Sequence, residues 1–186
     1  MHSQDLNLRL LALLRERSLR MGQFTLASGR ASSYYIDARK TSMSAEGLEV
    51  IGQLGLDEIR RMEWPAEVVG GLTMGADPIA YAIALASRSS PPTVDAFSVR
   101  REAKPHGMGQ RIEGCFRSGV AAVVVEDVIT TGGSALMAIE AVRQAGGRIC
   151  GVLAVVDREE GGRAAIERSG VPVIALTTVS RLLAPT

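Results

Sequence analysis

The chain has 186 residues, of which 46% are hydrophobic and 22% are charged, and its 21 basic residues nearly balance its 20 acidic residues. These values are typical of one soluble globular domain that needs neither a disulfide nor a metal to hold its core. The formal net charge of +1 and the aromatic content of 4% argue against a general nucleic-acid-binding protein.

The sequence has no pattern typical of membrane insertion or secretion. Its longest strongly apolar run, residues 120–125, is far shorter than a bilayer span. No basic segment followed by an apolar core occurs at the start of the sequence. Cys115 and Cys150 form no close pair and have no metal-ligand spacing, which fits a reducing compartment. We therefore expect a cytoplasmic protein that binds neither membranes nor nucleic acid.

The first 65 residues predict two helices and a small hairpin between them. The predicted helices are residues 3–19 and 44–62, and the predicted strands are residues 24–26 and 33–37. Gly22 is expected to end the first helix, and Pro65 is expected to end the second. Because these elements do not alternate regularly, we expect residues 1–65 to form N-terminal helices and a hood.

The rest of the chain predicts strands that alternate with helices. The predicted strands are residues 68–71, 94–99, 120–125, 149–156 and 171–176, and the predicted helices are residues 77–87, 133–145 and 162–169. This alternation predicts an α/β core over residues 66–186, with a mainly parallel sheet flanked by helices. Residues 100–114 have no apolar period and predict a long loop of the kind that is usually functional.

The strongest functional pattern directly follows the predicted strand at residues 120–125. It consists of Glu126, Asp127, Val128, Ile129, Thr130, Thr131, Gly132, Gly133 and Ser134. Ligands of parallel sheets bind beyond the carboxyl ends of the strands. The glycines, the hydroxyls and the N-terminus of the following helix suit a phosphate. The two carboxylates, which we expect to face solvent, suit sugar hydroxyls or a magnesium shell, so the segment predicts a site for a ribose 5-phosphate.

Two better-known phosphate-binding motifs do not occur in the sequence. There is no G-x-x-x-x-G-K-[ST] segment, which disfavours a P-loop nucleotidase. No G-x-G-x-x-G segment follows a predicted strand, which disfavours a dinucleotide-binding Rossmann unit.

Residues 123–134 resemble the phosphoribosyl diphosphate (PRPP) motif of type I phosphoribosyltransferases. Three further segments are similar to the orotate phosphoribosyltransferase family. Residues 24–30 with Tyr34 and Tyr35 resemble its N-terminal hood, residues 100–107 its catalytic loop, and residues 157–162 its orotate-contacting segment. The four segments occur in the right order and span the chain from about residue 20 to residue 180. The resemblance implies a type I phosphoribosyltransferase-like fold, with residues 66–186 as the PRPP-binding core.

The resemblance also implies a reaction, a cofactor and a partner. A pentosyltransferase of this family would convert orotate and PRPP into orotidine 5′-monophosphate and pyrophosphate, in de novo pyrimidine (UMP) biosynthesis. Mg²⁺ would accompany the reaction, held mainly by PRPP and not directly by the protein. In the family the catalytic loop closes over the neighbouring subunit, which implies a homodimer in which residues 100–114 complete the partner's active site.

The resemblance assigns three sets of residues in this sequence. The catalytic residues would be Arg101, Lys104 and His106. PRPP would be bound by Arg100, Arg101, Lys104, His106, Glu126, Asp127, Val128, Ile129, Thr130, Thr131, Gly132, Gly133 and Ser134. Orotate would be bound by Tyr34, Tyr35, Thr130 and Arg158. Because adjacent strand residues face opposite ways, at most one of the two tyrosine rings can line the site.

The residue types agree with this chemistry. Displacement of pyrophosphate builds negative charge on the leaving group, which the cations Arg101, Lys104 and His106 can offset inside a closed loop. His106 can also donate a proton to the leaving group. The planar guanidinium of Arg158 matches a carboxylate, the group that distinguishes orotate from uracil.

Two positions depart from the family pattern. Ala27 stands where the hood commonly carries a lysine, and residues 70–77 lack a lysine that some members carry after the first strand of the core. The details of PRPP binding therefore cannot be copied from the lysine-bearing members. Lys40 and Lys104 are the two lysines of the chain.

Three other functions stay open at this point. The first is another type I phosphoribosyltransferase, acting on a purine or on uracil, against which Arg158, the hood and the catalytic loop argue. The second is a PRPP-sensing regulator that binds nucleic acid, which the near-neutral charge and the single-domain length disfavour. The third is a structural or chaperone-like domain, which would leave the acidic pair unexplained.

Overall fold

The computed structural model describes residues 3–25, 31–102 and 111–185. These residues form a six-stranded sheet flanked by helices, together with a two-stranded hairpin. No helix among them is long and apolar enough to cross a membrane.

The N-terminal part contains the predicted helices and hairpin. Its elements are α1 (Ser3–Leu13), a π-helical turn (Leu14–Ser18), β1 (Leu19–Thr25), β2 (Ala31–Ile36), α2 (Arg39–Ser42) and α3 (Ala45–Arg61). Ser44 caps α3, since its hydroxyl accepts a hydrogen bond from the backbone N–H of Gly47. The expectation that Gly22 ends the first helix is wrong. The helical backbone ends at Ser18, because β1 pairs with β2 from Leu19 onward.

The remaining elements alternate as the sequence predicts. They are β3 (Val68–Leu72), α4 (Asp77–Arg88), β4 (Asp95–Val99), β5 (Ile112–Gly114), β6 (Ala121–Ile129), α5 (Gly133–Gln144), β7 (Arg148–Asp157), α6 (Gly162–Glu167), β8 (Val173–Thr178) and α7 (Val179–Leu183). The strand order is β5-β4-β3-β6-β7-β8. All neighbours are parallel except β5, which is antiparallel to β4. The prediction of a mainly parallel sheet is therefore confirmed, while residues 112–114 are a strand and not part of the loop.

The two faces of the sheet carry separate apolar cores. On one face, Val123 and Val125 of β6 pack with apolar residues of α1, α3 and α4. On the other face, Val124 packs with Ile139 of α5 and Ile166 of α6. Because both faces are covered, β6 needs apolar side chains at consecutive positions, which explains the continuous apolar run in the sequence.

β6 is longer than the predicted strand. It continues through the acidic pair to Ile129, since Val128 and Ile129 pair with Val156 and Asp157 of β7. The carboxyl edge of the sheet therefore lies at Ile129. Glu126 and Asp127 are therefore among the last residues of β6, and the pairing of β6 with β7 fixes their backbone.

Candidate active site

A cleft of about 410 Å³ opens at the carboxyl edge of the sheet. Its wall is formed by residues from the end of the hairpin, the loop after β3, the end of β6, the start of α5 and the segment after β7. These residues are Tyr35, Ile36, Asp37, Ala38, Arg39, Leu72, Thr73, Met74, Gly75, Arg101, Glu126, Asp127, Val128, Thr130, Ser134 and Arg158. A smaller cavity of about 100 Å³, lined by Glu126 and residues 128–134, shares four residues with it.

Glu126 is buried at the junction of the two cavities. Its side chain is 7% exposed, and Oε2 has no hydrogen-bond partner in the structure. Burial, and next the adjacent charge of Asp127, raises the pKa of Glu126 to about 9. The expectation that both carboxylates face solvent is therefore wrong for Glu126, because alternation along β6 turns it inward. At neutral pH it is a neutral carboxyl group that can both donate and accept a hydrogen bond.

Asp127 is partly exposed, and its side chain lies within hydrogen-bond reach of Glu126. Its Oδ1 accepts a hydrogen bond of 2.8 Å from the backbone N–H of Val128. The carboxylate also contacts Gly75, where an added Cβ would lie 2.8 Å from Asp127 Cγ and 2.9 Å from both carboxylate oxygens. Only glycine at position 75 lets the loop after β3 approach the acidic pair so closely.

The loop after β3 is fixed by Asp77, the first residue of α4. Asp77 Oδ2 accepts a 2.5 Å hydrogen bond from the Thr73 hydroxyl, and Oδ1 accepts a 2.6 Å bond from the Ser98 hydroxyl. These bonds join the loop to α4 and β4. Residues 72–75 line the cleft with backbone, one hydroxyl and an exposed methionine, and none of the four carries a charge.

Residues 130–134 form a turn that fits a phosphate. Gly132 has a left-handed backbone with φ of 84°, and an added Cβ would lie 2.8 Å from the carbonyl oxygen of Gly162. α5 begins at Gly133 with no acidic residue in its first turn and no side-chain cap. Its N-terminal N–H groups and the helix dipole therefore favour an anion in the smaller cavity.

Arg158 is held by the end of β7. Its backbone N–H donates to the carbonyl of Ile129 over 3.0 Å, which ties it to the phosphate turn. The guanidinium is 7% exposed, with Nη2 2.8 Å from Glu160 Oε1 and its carbon 5.1 Å from the centroid of the Tyr34 ring. Nε is buried without a hydrogen-bond partner, and Nη2 approaches Glu160 as an ion pair without the angles of a hydrogen bond. A buried donor of this kind at the wall of a cleft suits a carboxylate ligand.

The two tyrosines of β2 face opposite ways, as strand geometry requires. Tyr35 lines the cleft, is 41% exposed and lies 5.7 Å from the ring of Phe24, centroid to centroid. Tyr34 is partly buried, packs against the core and stacks on Arg158. Tyr34 therefore acts on the site through its contact with Arg158, whereas Tyr35 lines the cleft itself.

At the base of the predicted catalytic loop, Arg100 and Arg101 have different surroundings. Arg101 lines the cleft of its own chain, whereas Arg100 pairs with Glu113, with 3.1 Å between Nε and Oε1. Arg111 donates to the backbone carbonyls of Arg100 (3.2 Å) and Arg101 (3.1 Å) and so fixes the base of the loop. Lys104 and His106 lie outside the described residues.

Sequence reasoning missed Asp37 and Arg39, which also line the cleft. No motif or periodicity pointed to them, and the one available sign was their position directly after the hood strand. Within residues 3–25, 31–102 and 111–185, no three His, Cys, Asp or Glu side chains are grouped so that they could hold a metal ion.

Comparison with known proteins identifies the family. No family model matches the chain. An orotate phosphoribosyltransferase from Aquifex aeolicus (strain VF5) is 44% identical over 178 residues, which cover 94% of this chain and 96% of that protein. The chain belongs to the orotate phosphoribosyltransferase family. The prediction of a pentosyltransferase enzyme is thereby confirmed.

Solved structures of orotate phosphoribosyltransferases agree with the fold. The Mycobacterium tuberculosis H37Rv enzyme in complex with Fe(III) dicitrate has a TM-score of 0.86 and 42% identity, with coverage of 96% of this chain and 99% of that chain. The structure of the same enzyme in complex with PRPP has a TM-score of 0.79 and 34% identity, with coverage of 96% and 92%. The type I phosphoribosyltransferase-like fold is confirmed, and the three alternative functions lose their support.

Proposed function

We propose that this orotate phosphoribosyltransferase transfers the 5-phosphoribosyl group of PRPP to orotate in de novo pyrimidine biosynthesis. The products are orotidine 5′-monophosphate and pyrophosphate. The observation that carries the proposal is that one cleft joins an anion-binding turn at residues 130–134, the acidic pair and the buried guanidinium of Arg158. A phosphate, a sugar and a carboxylate therefore each meet suitable groups in one continuous site.

The phosphoribosyl part of PRPP fits the β6–α5 segment. The 5-phosphate takes the smaller cavity, where the turn from Thr130 to Ser134 and the start of α5 supply N–H and hydroxyl donors. The neutral carboxyl of Glu126 donates a hydrogen bond to one ribose hydroxyl, and Asp127 accepts one from another. The unpartnered Oε2 of Glu126 thereby gains a partner when substrate binds.

Orotate fits the side of the cleft at Arg158. Its carboxylate accepts a hydrogen bond from the unpartnered Nε, while Tyr34 holds the guanidinium plane from the other side. Uracil lacks this carboxylate and leaves the buried donor unsatisfied, which costs affinity. Tyr35 and Thr130 complete this part of the wall.

The reaction breaks the bond between the anomeric carbon and the diphosphate oxygen, and the bonding electron pair leaves with the diphosphate. The same carbon forms a bond to a ring nitrogen of orotate, whose N–H proton is released to solvent. Positive charge develops on the ribose, near Asp127, and negative charge develops on the leaving diphosphate. Arg101, together with Lys104 and His106 of the loop, offsets that negative charge. Mg²⁺, when bound, neutralises the diphosphate further. Among the described residues, Asp127 is a partly exposed carboxylate of the cleft that would lie near an ion held by PRPP.

We also propose a homodimer, with a second copy seated on an α4 face defined by Met74, Tyr81 and Leu85. These side chains are 60%, 55% and 76% exposed, which is unusual for large apolar groups on one helix and its preceding loop. The face adjoins an apolar groove of about 860 Å³ between α1, α3 and α4. Tyr81 also lies 3.2 Å from the Ser98 hydroxyl, two residues before the catalytic loop. A copy docked on this face would lie beside both the cleft and the loop.

We further propose a cytoplasmic location. Cys115 and Cys150 are free thiols, and free thiols persist in a reducing compartment.

An absorbance assay of orotate consumption tests the proposed activity. The chain should consume orotate only when both PRPP and Mg²⁺ are present, and it should release pyrophosphate in equal amount. Uracil, adenine and hypoxanthine in place of orotate are the matched controls. Faster turnover of any of these bases than of orotate would contradict the assignment.

A further inference from the structure

Arg39 is a cation of the cleft wall that the proposed function leaves without a role. It is the first residue of α2, and it lines the cleft two residues after Asp37. The backbone of α2 is fixed, because the buried Thr41 hydroxyl donates to the carbonyl of Leu13 over 3.2 Å and lies 2.7 Å from the Ser18 hydroxyl. A rigid segment therefore carries the guanidinium of Arg39 to the cleft.

The charge of Arg39 is accessible to a ligand. Its Nε donates to Asp37 Oδ1 over 2.9 Å, and this bond uses one of the five N–H donors of a guanidinium. The side chain of Arg39 is 46% exposed. The hydrogen bond to Asp37 raises the pKa of Arg39, and the nearby charge of Asp127 raises it further. The same hydrogen bond lowers the pKa of Asp37. Arg39 and Asp37 therefore form an ion pair in which both groups are charged.

Arg39 and Arg158 have different neighbours in the cleft. The charge of Arg39 acts on Asp127, whose carboxylate lies against Gly75 of the loop after β3. Arg158 instead stacks on Tyr34 and pairs with Glu160. The charge of Arg39 thus acts on Asp127 and Tyr35 in the cleft, whereas the Arg158 guanidinium is engaged by Tyr34 and Glu160.

The end at residues 72–75 suits a phosphate but lacks a charge of its own. It offers the backbone groups of residues 72–75, whereas the Thr73 hydroxyl already donates to Asp77 in the first turn of α4. The described residues of the cleft wall include three acidic side chains and three cationic ones. The acids are Asp37, Glu126 and Asp127, and the cations are Arg39, Arg101 and Arg158. Because Arg158 is engaged by Glu160 and Tyr34, Arg39 and Arg101 are the cations in the described wall that are left to neutralise a diphosphate.

We infer that Arg39 binds the diphosphate of PRPP, and the pyrophosphate formed from it, from the hood side of the cleft. The inference rests on the proposed function, since it takes PRPP as the substrate. Arg39 faces the leaving group across the cleft from the loop after β3. Its terminal nitrogens donate charge-assisted hydrogen bonds to phosphate oxygens, while Asp37 holds Nε.

Direct binding of inorganic pyrophosphate with Mg²⁺, measured by titration calorimetry, tests this inference without turnover. Arg39→Ala should weaken pyrophosphate binding about tenfold or more and should raise the KM for PRPP by a similar factor, because a charge-assisted bond is lost. The KM for orotate should stay within about twofold. Arg39→Lys keeps the charge and should restore part of the affinity. Arg61→Ala is the matched control, since Arg61 forms an exposed pair with Glu58 on α3 and does not line the cleft.

Thermal melting of each variant separates a binding defect from misfolding. Unchanged pyrophosphate affinity in a folded Arg39→Ala protein would overturn the inference, and so would a larger effect on orotate than on pyrophosphate. Equal losses in Arg39→Ala and Arg61→Ala would also overturn it. Failure of the wild-type protein to consume orotate would instead contradict the proposed function, while the calorimetric comparison would still decide the role of Arg39.

Discussion

The guanidinium carbon of Arg158 lies 5.1 Å from the centroid of the Tyr34 ring, so a hairpin residue holds the arginine proposed to recognise orotate. Arg158 comes from the end of β7, more than a hundred positions further along the chain. The ring covers one face of a buried guanidinium whose Nε has no hydrogen-bond partner. The hairpin thus shapes the orotate end of the cleft by restricting the orientation of an arginine that belongs to the core.

Replacement of Arg158 by alanine should raise the KM for orotate about thirty-fold to a hundred-fold. The physical reason is the loss of a charge-assisted hydrogen bond worth about 2–3 kcal/mol. The KM for PRPP should change far less, because the phosphate turn and the acidic pair remain. Steady-state kinetics with each substrate varied in turn measures both values. Equal damage to both KM values would argue that Arg158 supports the fold and not orotate binding.

Replacement of Tyr34 should act on orotate through Arg158. Tyr34→Leu removes the ring and should raise the KM for orotate severalfold, since a stacked cation is worth about 0.5–2 kcal/mol. Tyr34→Phe keeps the ring and serves as the matched control, with a KM close to that of the wild-type protein. The double variant Tyr34→Leu, Arg158→Ala should be no worse for orotate than Arg158→Ala alone. An additive loss would mean that Tyr34 contacts orotate independently of the arginine.

The burial of Glu126 predicts that folding stability falls as pH rises. The folded protein keeps the carboxyl protonated up to about pH 9, whereas the unfolded chain ionises near the ordinary value of 4.5. Between these values the unfolded state binds fewer protons, so its population is favoured as pH increases. Glu126→Gln removes this dependence and should gain about 4 kcal/mol relative to the wild-type protein between pH 5 and pH 8, since each pH unit contributes about 1.4 kcal/mol.

Urea unfolding at the two pH values measures the gain for Glu126→Gln. The same substitution at Glu140, which is exposed on α5, is the control and should change stability equally at both values. If Glu126→Gln and the wild-type protein show the same pH dependence, the carboxyl group is already ionised in the folded protein at neutral pH. It could not then donate a hydrogen bond to ribose.

The sequence predicted the turn and helix start at residues 130–134, which we propose to bind phosphate, because their pattern is local. Glycines, hydroxyls and a helix start within residues 130–134 create the site almost independently of the rest of the chain. The burial of Glu126 could not be predicted in this way. It depends on the pairing of β6 with β7 beyond the apolar run.

The position of Arg39 in the cleft also could not be predicted from a local sequence pattern. Its place in the cleft depends on contacts between α2 and the end of the first helical segment, through Thr41, Ser18 and Leu13. These residues are far apart in sequence and have no spacing that marks them as partners. Arg101, in contrast, was predicted as a site residue. Because it lines the cleft of its own chain, we expect that only loop residues beyond it can enter a partner's active site.

Subunit mixing can test whether the loop completes the partner's site. Lys104 lies three residues beyond Arg101, and we propose that it enters the neighbouring cleft. Lys104→Ala and Asp127→Ala should each be inactive alone. When they are unfolded and refolded together, half of the dimers are hybrids, and each hybrid has one site with both lesions and one site with neither. About a quarter of the wild-type activity should therefore return.

Arg101→Ala mixed with Asp127→Ala is the matched control for that experiment. Arg101 lines the cleft of its own chain, so each site of this hybrid keeps one lesion and activity should not return. Mass spectrometry of the native dimers verifies that hybrids form in both mixtures. Recovery in both mixtures would place Arg101 in the partner's site as well. The absence of recovery with Lys104→Ala, in the presence of verified hybrids, would show that the loop serves its own chain, because every site would then keep a lesion however the subunits pair.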